Sequence, residues 1–270
     1  MGALTRSPIR LTPRMSAAYF GTAFRCRHQP EGVLELPSLP PAIELATTTR
    51  GKGREVLALH DLGQTSDVAL EALSALSDEG FRITAPDLRG HGASPSPASP
   101  WSIDDFASDV ARVVESGPEQ ALVVGVGLGG ATALALALGH PSLVSGLIVA
   151  GVGPRSEDTD GQEKWIRAAR GVRERLGDPG EGIALAAEAM GTRPDWRGAL
   201  PQIETPTGIL AGADDHVVPV DAQRELSAWI RGSRFAQIPG IGHDLWADAA
   251  EDLAGAVRRV AGVGSPAVAA

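Results

Sequence analysis

Cysteine is almost missing from these 270 residues. Cys26 stands alone, which excludes an internal disulfide framework and a cysteine-rich zinc site, and points to a reducing, cytoplasmic setting. Lysine is nearly as scarce: Lys52 and Lys164 are the only two, and arginine carries the rest of the positive charge. Together with abundant Ala and Gly, that bias is expected of a GC-rich, bacterial genome. Aromatics make up 4% and the net charge is −9. Neither a phosphate-binding surface nor a base-stacking platform is expected from such a chain, so nucleic acid is excluded as a partner. Charged residues are absent from 120–154, a stretch long enough to cross a bilayer. Gly125, Gly127, Gly129, Gly130 and the His140-Pro141 pair interrupt it, so a buried strand, helix and strand are expected instead of a membrane span. Residues 1–32 carry several arginines but lack the apolar core of a secretory signal. With Met15 as an alternative start, they read as an N-terminal extension.

What remains is an ordinary globular composition, 43% apolar and 21% charged, long enough to bury a large core without staples. Short apolar runs alternate with helical patterns. Strands are expected at Val33–Leu36, Ile43–Thr48, Glu55–Leu59, Phe81–Ala85, Ala121–Val126, Leu147–Val152, Thr207–Ala211 and Arg234–Ile238. Helices are expected at Val68–Leu76, from Ser102 as N-cap to about Glu115, after Gly130, and at Asp221–Ile230 and Leu245–Val260. Such alternation predicts an α/β fold: a mostly parallel sheet with helices on both faces and ligand-binding loops along one edge. The segment 155–200 is densely charged, with Trp165, Ala169, Val172 and Leu176 on one helical stripe. It reads as a small helical cap inserted between core segments 33–154 and 201–262, with 263–270 as a tail.

The most informative motif is Gly125-Val126-Gly127-Leu128-Gly129-Gly130. As G-x-G-x-x-G it matches a dinucleotide fingerprint, but the acid that would hold a ribose about 20 residues on is missing: position 150 is Ala. As G-x-S-x-G it matches a nucleophile elbow whose central serine has become Gly127. Around it stand His60-Asp61-Leu62-Gly63, the run from Asp87 to Ser94 (DLRGHGAS), Gly212-Ala213-Asp214-Asp215-His216, and Gly240-Ile241-Gly242-His243-Asp244.

In that order these motifs resemble the α/β-hydrolase fold, in its epoxide-hydrolase, lactonase and haloperoxidase-like branch, from about Val33 to Val260. The resemblance implies Asp215 as the acid and His243 as the histidine of a triad, with the N–H groups of Leu62 and Leu128 as an oxyanion hole. It implies no cofactor and no metal. This chain departs from the pattern at Asp61, where glycine is usual and where the change either reshapes the oxyanion loop or carries an acid into the expected pocket, and at Gly127, which cannot form an acyl-enzyme.

The function expected is acid/base chemistry on a small, partly apolar molecule without a covalent nucleophile. It would be hydrolysis by activated water, or lyase, isomerase, epimerase or cyclase chemistry, with secondary metabolism as one setting. The alternative is a non-catalytic small-molecule binding protein. Restoring serine at Gly127 is expected to place a hydroxyl beside His243. Cys26 with His28, and the loop hydroxyls of Thr65, Ser66 and Ser94, are weaker candidates: a lone cysteine is usually packing and loop hydroxyls usually cap turns. His60 and His91 are expected to brace loops.

Overall fold

A computed structural model describes residues 42–155 and 159–262, all within one compact unit. Cys26, His28 and the strand expected at Val33–Leu36 lie outside the described residues. Among the described residues seven strands form one sheet: β1 (Thr47–Gly51), β2 (Arg54–Leu59), β3 (Phe81–Pro86), β4 (Ala121–Val126), β5 (Val144–Ala150), β6 (Thr207–Gly212) and β7 (Arg234–Ile238). Their order is β1-β3-β2-β4-β5-β6-β7. Only β1 runs antiparallel, against β3; the other pairings are parallel.

Period-two alternation along the central strands feeds two apolar layers. On one face Leu57, Leu59, Val123, Leu147 and Val149 meet Phe106 and Leu134 of helices α2 (Ile103–Glu115) and α3 (Leu128–Gly139). On the other face Val56, Ala58, Val124 and Ile148 meet Leu70, Trp246 and Leu253 of α1 (Ser66–Ala72), α7 (Leu245–Asp248) and α8 (Ala250–Val260). Burial on both faces explains why β4 is apolar without interruption. Among the described residues no helix is long and apolar enough to cross a membrane. The uncharged stretch 120–154 is β4, α3 and β5.

Several boundaries differ from the sequence reading. The first strand starts at Thr47, not Ile43. Leu45 packs into the core without pairing, while the polar threonines that follow supply the edge strand. The helix expected over Val68–Leu76 ends at Ala72 and tightens into a 3₁₀ segment, Ser74–Glu79, which turns both Leu73 and Leu76 inward. The long C-terminal helix breaks at Ala249, whose φ of −135° and ψ of 34° are not helical; the break lets Leu245 and Trp246 enter the core. Ser102 is an N-cap as expected, in a reciprocal capping box with Asp105.

Between β5 and β6 lie α4 (Thr159–Leu176) and α5 (Glu181–Gly191). Of the stripe expected on α4, Ala169 is buried and Trp165 and Val172 are half-buried, packed against Ala184, Ala187 and the side chain of Leu62. Leu176 is exposed, because the chain turns away at Gly177. The remaining helix, α6 (Val220–Trp229), follows β6.

Candidate active site

Four loops at the C-terminal edge of the parallel strands bring Asp61, Gly127, Asp215 and His243 together: they follow β2, β4, β6 and β7 respectively. Asp215 is the fixed point. Its Oδ1 accepts from the N–H groups of Val217 (2.8 Å) and Val218 (2.9 Å). Its Oδ2 meets His243 Nδ1 at 2.9 Å and accepts from Gln223 Nε2 at 3.2 Å. The far ring nitrogen, His243 Nε2, lies 3.2 Å from Asp61 Oδ2.

Asp61 closes the array. Its Oδ1 accepts from Leu62 N–H at 2.6 Å and from Leu128 N–H at 2.8 Å. Those are the two donors expected to form an oxyanion hole. They do converge on one point, and the chain's own carboxylate occupies it. Leu128 opens α3, so the helix N-terminus adds its partial positive charge there.

Gly127 is the counterpart of this placement. It has φ +56° and ψ −114°, a strained conformation for any residue with a side chain. A Cβ built on it would sit on the Asp61 carboxylate, far inside van der Waals contact. The serine expected to fit beside His243 therefore has no room while Asp61 stays in place, which corrects that expectation. The other glycines of the motif serve packing. A Cβ on Gly125 would collide with the backbone of Gly129, and one on Gly129 with the backbone of Leu59. The turn's glycines serve strand–helix contact, and the Leu128 amide holds the Asp61 carboxylate.

The fold matches known proteins. The family described as alpha/beta hydrolase fold matches residues 56–189. The chain belongs to the α/β-hydrolase superfamily. It is 26% identical over 242 residues to an AB hydrolase superfamily protein of Bacillus subtilis, covering 75% of this chain and 90% of that protein. It is 26% identical over 251 residues to a pimeloyl-[acyl-carrier protein] methyl ester esterase of Aromatoleum aromaticum, covering 74% and 95%. Among solved structures, a thermophilic esterase from Thermogutta terrifontis superposes with a TM-score of 0.72 at 26% identity, covering 81% of this chain and 94% of that one.

Within this superfamily member the remaining motif residues are bracing. His60 donates from Nδ1 to Asp61 O at 2.7 Å and accepts from Leu88 N–H at 2.9 Å. Burial, with repulsion from His91, presses its pKa down to about 4, so it stays neutral and can accept. His91 Nε2 accepts from Gly63 N–H at 3.0 Å. Asp87 accepts from Ser66 N–H and Ala93 N–H. Ser94 Oγ donates to Asp87 O and accepts from Ala46 N–H. Ser66 and Ser94 are thus tied into the loops, and Thr65 only flanks α1. Asp214 and His216 do not join Asp215 at His243.

Sequence reading missed two glutamines. Gln223, fully buried on α6, holds Asp215 through Nε2 and accepts from Gly151 N–H through Oε1 at 2.9 Å. Gln64 accepts from Asp61 N–H at 3.2 Å and donates to Asp244 at 3.1 Å, linking the Asp61 loop to the His243 loop. A lone glutamine facing inward from α6 was the only available signal, and it carries no spacing rule.

Electrostatically the site is an imidazolium between two carboxylates. Burial opposes charge on His243, but hydrogen bonds and attraction from Asp215 and Asp61 prevail and raise its pKa to about 10. A group whose pKa is raised in the folded state stabilises fully below its unfolded value, and that contribution fades as pH climbs through the folded one. Wild-type stability is therefore expected to fall between about pH 6.5 and pH 10. In His243→Gln that decline should largely vanish. Urea denaturation at intervals across the window checks this, and parallel slopes for the two proteins would refute it.

Proposed function

We propose that this protein is an enzyme acting on a small, partly apolar organic molecule by acid/base chemistry at His243, with Asp61 and Asp215 as its partners and no serine acyl-enzyme. The observation that carries this reading is the Asp61 carboxylate on the Leu62 and Leu128 amides. Acyl transfer needs an alcohol or thiol at position 127 and two free donors for the substrate's carbonyl oxygen. Here neither is available. What the site offers instead is a proton on His243 Nε2 and a carboxylate beside it, a matched donor and acceptor 3.2 Å apart.

Both ends of the pair remain reachable, since the Asp61 and His243 side chains are 15% and 20% exposed. We take α4 and α5 as a cap over them: Leu62 packs against Ala169, Ala184 and Ala187 of those helices, giving the approach an apolar wall. Hydrolase-type relatives such as the esterases favour water as co-reactant, with the Asp61 carboxylate accepting its proton and His243 donating one to the leaving group. Lyase or isomerase chemistry uses the same donor and acceptor. A reducing, cytoplasmic setting suits the single cysteine.

A second reading has one observation in its favour: the oxyanion hole is filled by an internal anion, as in a site retired from catalysis and kept for binding. Metabolites found by thermal shift, followed by mass spectrometry for product, separate the two. Catalysis requires that His243→Ala lower turnover by about 10²–10⁴-fold, the usual share of a general acid or base. Hits that bind and never convert would establish the binding protein instead.

A further inference from the structure

We propose that the cavity between the end of α2 and the β1–β3–β2 edge of the sheet is a binding site for a small organic cation, a primary ammonium on an aliphatic body, with Glu55 as its acceptor. It is separate from the site at His243.

Glu55 is the anomaly. It is the second residue of β2, and the period of two puts it on the same face as Leu57 and Leu59, the face that α2 covers. It is 4% exposed. Such a position is normally apolar, because a carboxylate taken out of water needs donors to replace those it loses. Glu55 Oε2 is buried and accepts no hydrogen bond. Its cationic neighbour is Arg82, its partner in register on β3, whose Nε stands 3.6 Å away. That contact is an ion pair without a hydrogen bond. The arginine side chain is 39% exposed, so water screens much of its charge.

The carboxylate lines a cavity of about 670 Å³, within the range of small-molecule sites. Beside Glu55 and Arg82 the floor carries Thr47, Thr49 and Thr84. Their hydroxyls have partners already: Thr49 and Thr84 meet at 3.4 Å, and Thr47 donates to Leu45 O. The walls are apolar, formed by Ile43, Leu45, Leu57, Val113, Val114 and Ala121. Of the other charged groups facing the cavity, Asp109 holds Arg89, Arg112 donates to Ala42 O, and Glu44 is exposed. Ser116 and Gly117 bring the C-terminus of α2 to the same space, and the negative end of a helix favours a cation.

These features select the ligand. A buried acceptor without a donor asks for N–H groups, and its charge asks for a cation. An ammonium supplies three donors, and the walls cover a hydrocarbon body. An organic anion would meet Glu55 as a like charge, and a neutral alcohol brings one donor and no charge. Glu55 and Arg82 lie near the N-terminal ends of their strands, whereas Asp61 follows the C-terminal end of β2. Six residue steps separate Glu55 from Asp61, about 20 Å of extended chain.

The probe is hexylamine, titrated calorimetrically into the full chain at neutral pH and constant ionic strength. Saturable one-site binding is expected, with hexan-1-ol and hexanoate weaker by at least about 30-fold, the usual loss when one member of a buried charge pair is removed. Glu55→Gln keeps the shape of the side chain and should weaken hexylamine by the same factor. Arg82→Gln should act in the opposite sense, tightening it about tenfold, because the like charge beside the ammonium is gone. Hexylamine should raise the melting temperature of wild type and of Arg82→Gln, and not that of Glu55→Gln. Asp61→Asn should leave the affinity unchanged within about twofold, as a distant site does. A wild-type protein that shows no saturable binding overturns the proposal. So does an affinity that survives Glu55→Gln, or one lost in Asp61→Asn, which would put the amine beside His243 instead. The Arg82→Gln arm stands even if Glu55→Gln does not fold: affinity left unchanged or weakened there also overturns the site.

Discussion

Gly127→Ser on its own is expected to yield no esterase, whereas Asp61→Gly with Gly127→Ser is expected to yield one. The single substitution puts a Cβ onto the Asp61 carboxylate and a side chain at φ +56°. The backbone strain alone costs about 1–3 kcal/mol, and the clash forces Asp61 away from the amides of Leu62 and Leu128. The displaced carboxylate still lies beside the new hydroxyl and still pairs with His243, keeping it protonated and unable to act as a base. Removing Asp61 reverses each obstacle together. The two amides become free for a substrate carbonyl, the Oγ gains its volume, and His243, left with Asp215 alone, moves toward a pKa at which it can deprotonate serine. The measurement is burst kinetics on 4-nitrophenyl acetate. The double variant should show an acyl-enzyme burst that disappears when His243→Ala is added. Each missing oxyanion donor is worth about 10²–10³-fold, so the gap between single and double variants should be at least of that order. Equal bursts from the two would show that Asp61 does not hold the hole.

Arg89→Leu is expected to be the most destabilising substitution in the DLRGHGAS run. Arg89 is buried and makes a two-pronged bond to Asp109, Nε to Oδ2 at 2.7 Å and a terminal nitrogen to Oδ1 at 2.8 Å. The same terminal nitrogen donates to Asp105 O at 3.0 Å. Its guanidinium also lies over Trp101 and Phe106, 5.8 and 5.6 Å from their centroids. This arginine thereby ties the loop after β3 to α2, and Asp109 Oδ1 extends the tie to Ile43 N–H at 2.7 Å. Burial already pushes the Asp109 carboxyl upward, against the bonds and charge of Arg89 and the Ile43 amide. Taking the arginine away leaves a buried carboxylate without its cation, a change that costs about 3–5 kcal/mol. In a domain of this size that lowers the melting temperature on the order of 10 °C. Adding Asp109→Leu should recover part of the loss, because both buried charges are then gone. Calorimetry on wild type and the two variants checks this. An Arg89→Leu protein that melts with wild type would mean the buried pair contributes nothing net.

Asp61 shows where sequence reading stops. Its residue type and its loop were visible, and so was the expectation that an acid there enters the pocket. That its carboxylate would take both amides and reach His243 was not. Those contacts join residues 61, 62, 128 and 243, and their distances depend on how three strands stack in the sheet. The two glutamines were hidden for the same reason. Gln223 matters only because α6 packs against the Asp215 loop, and Gln64 only because the β2 and β7 loops are neighbours at the sheet edge. The broken C-terminal helix is a smaller case: no local signal marks Ala249, and burial of Trp246 decides the break.

The sequence by itself determined the α/β class and the approximate places of most described strands, and it pointed to Asp215 and His243, which the fold brings within 2.9 Å. Apolar runs buried on both faces, caps such as Ser102 and glycines at close approaches are local requirements, and local chemistry meets them in one way. The tertiary structure alone decided that Gly127 and Asp61 form one unit. Neither residue reveals this separately: a glycine reads as a lost nucleophile, an aspartate as an intruder. Folding places the missing Cβ of one within the volume of the other's carboxylate, and two atoms cannot share that space.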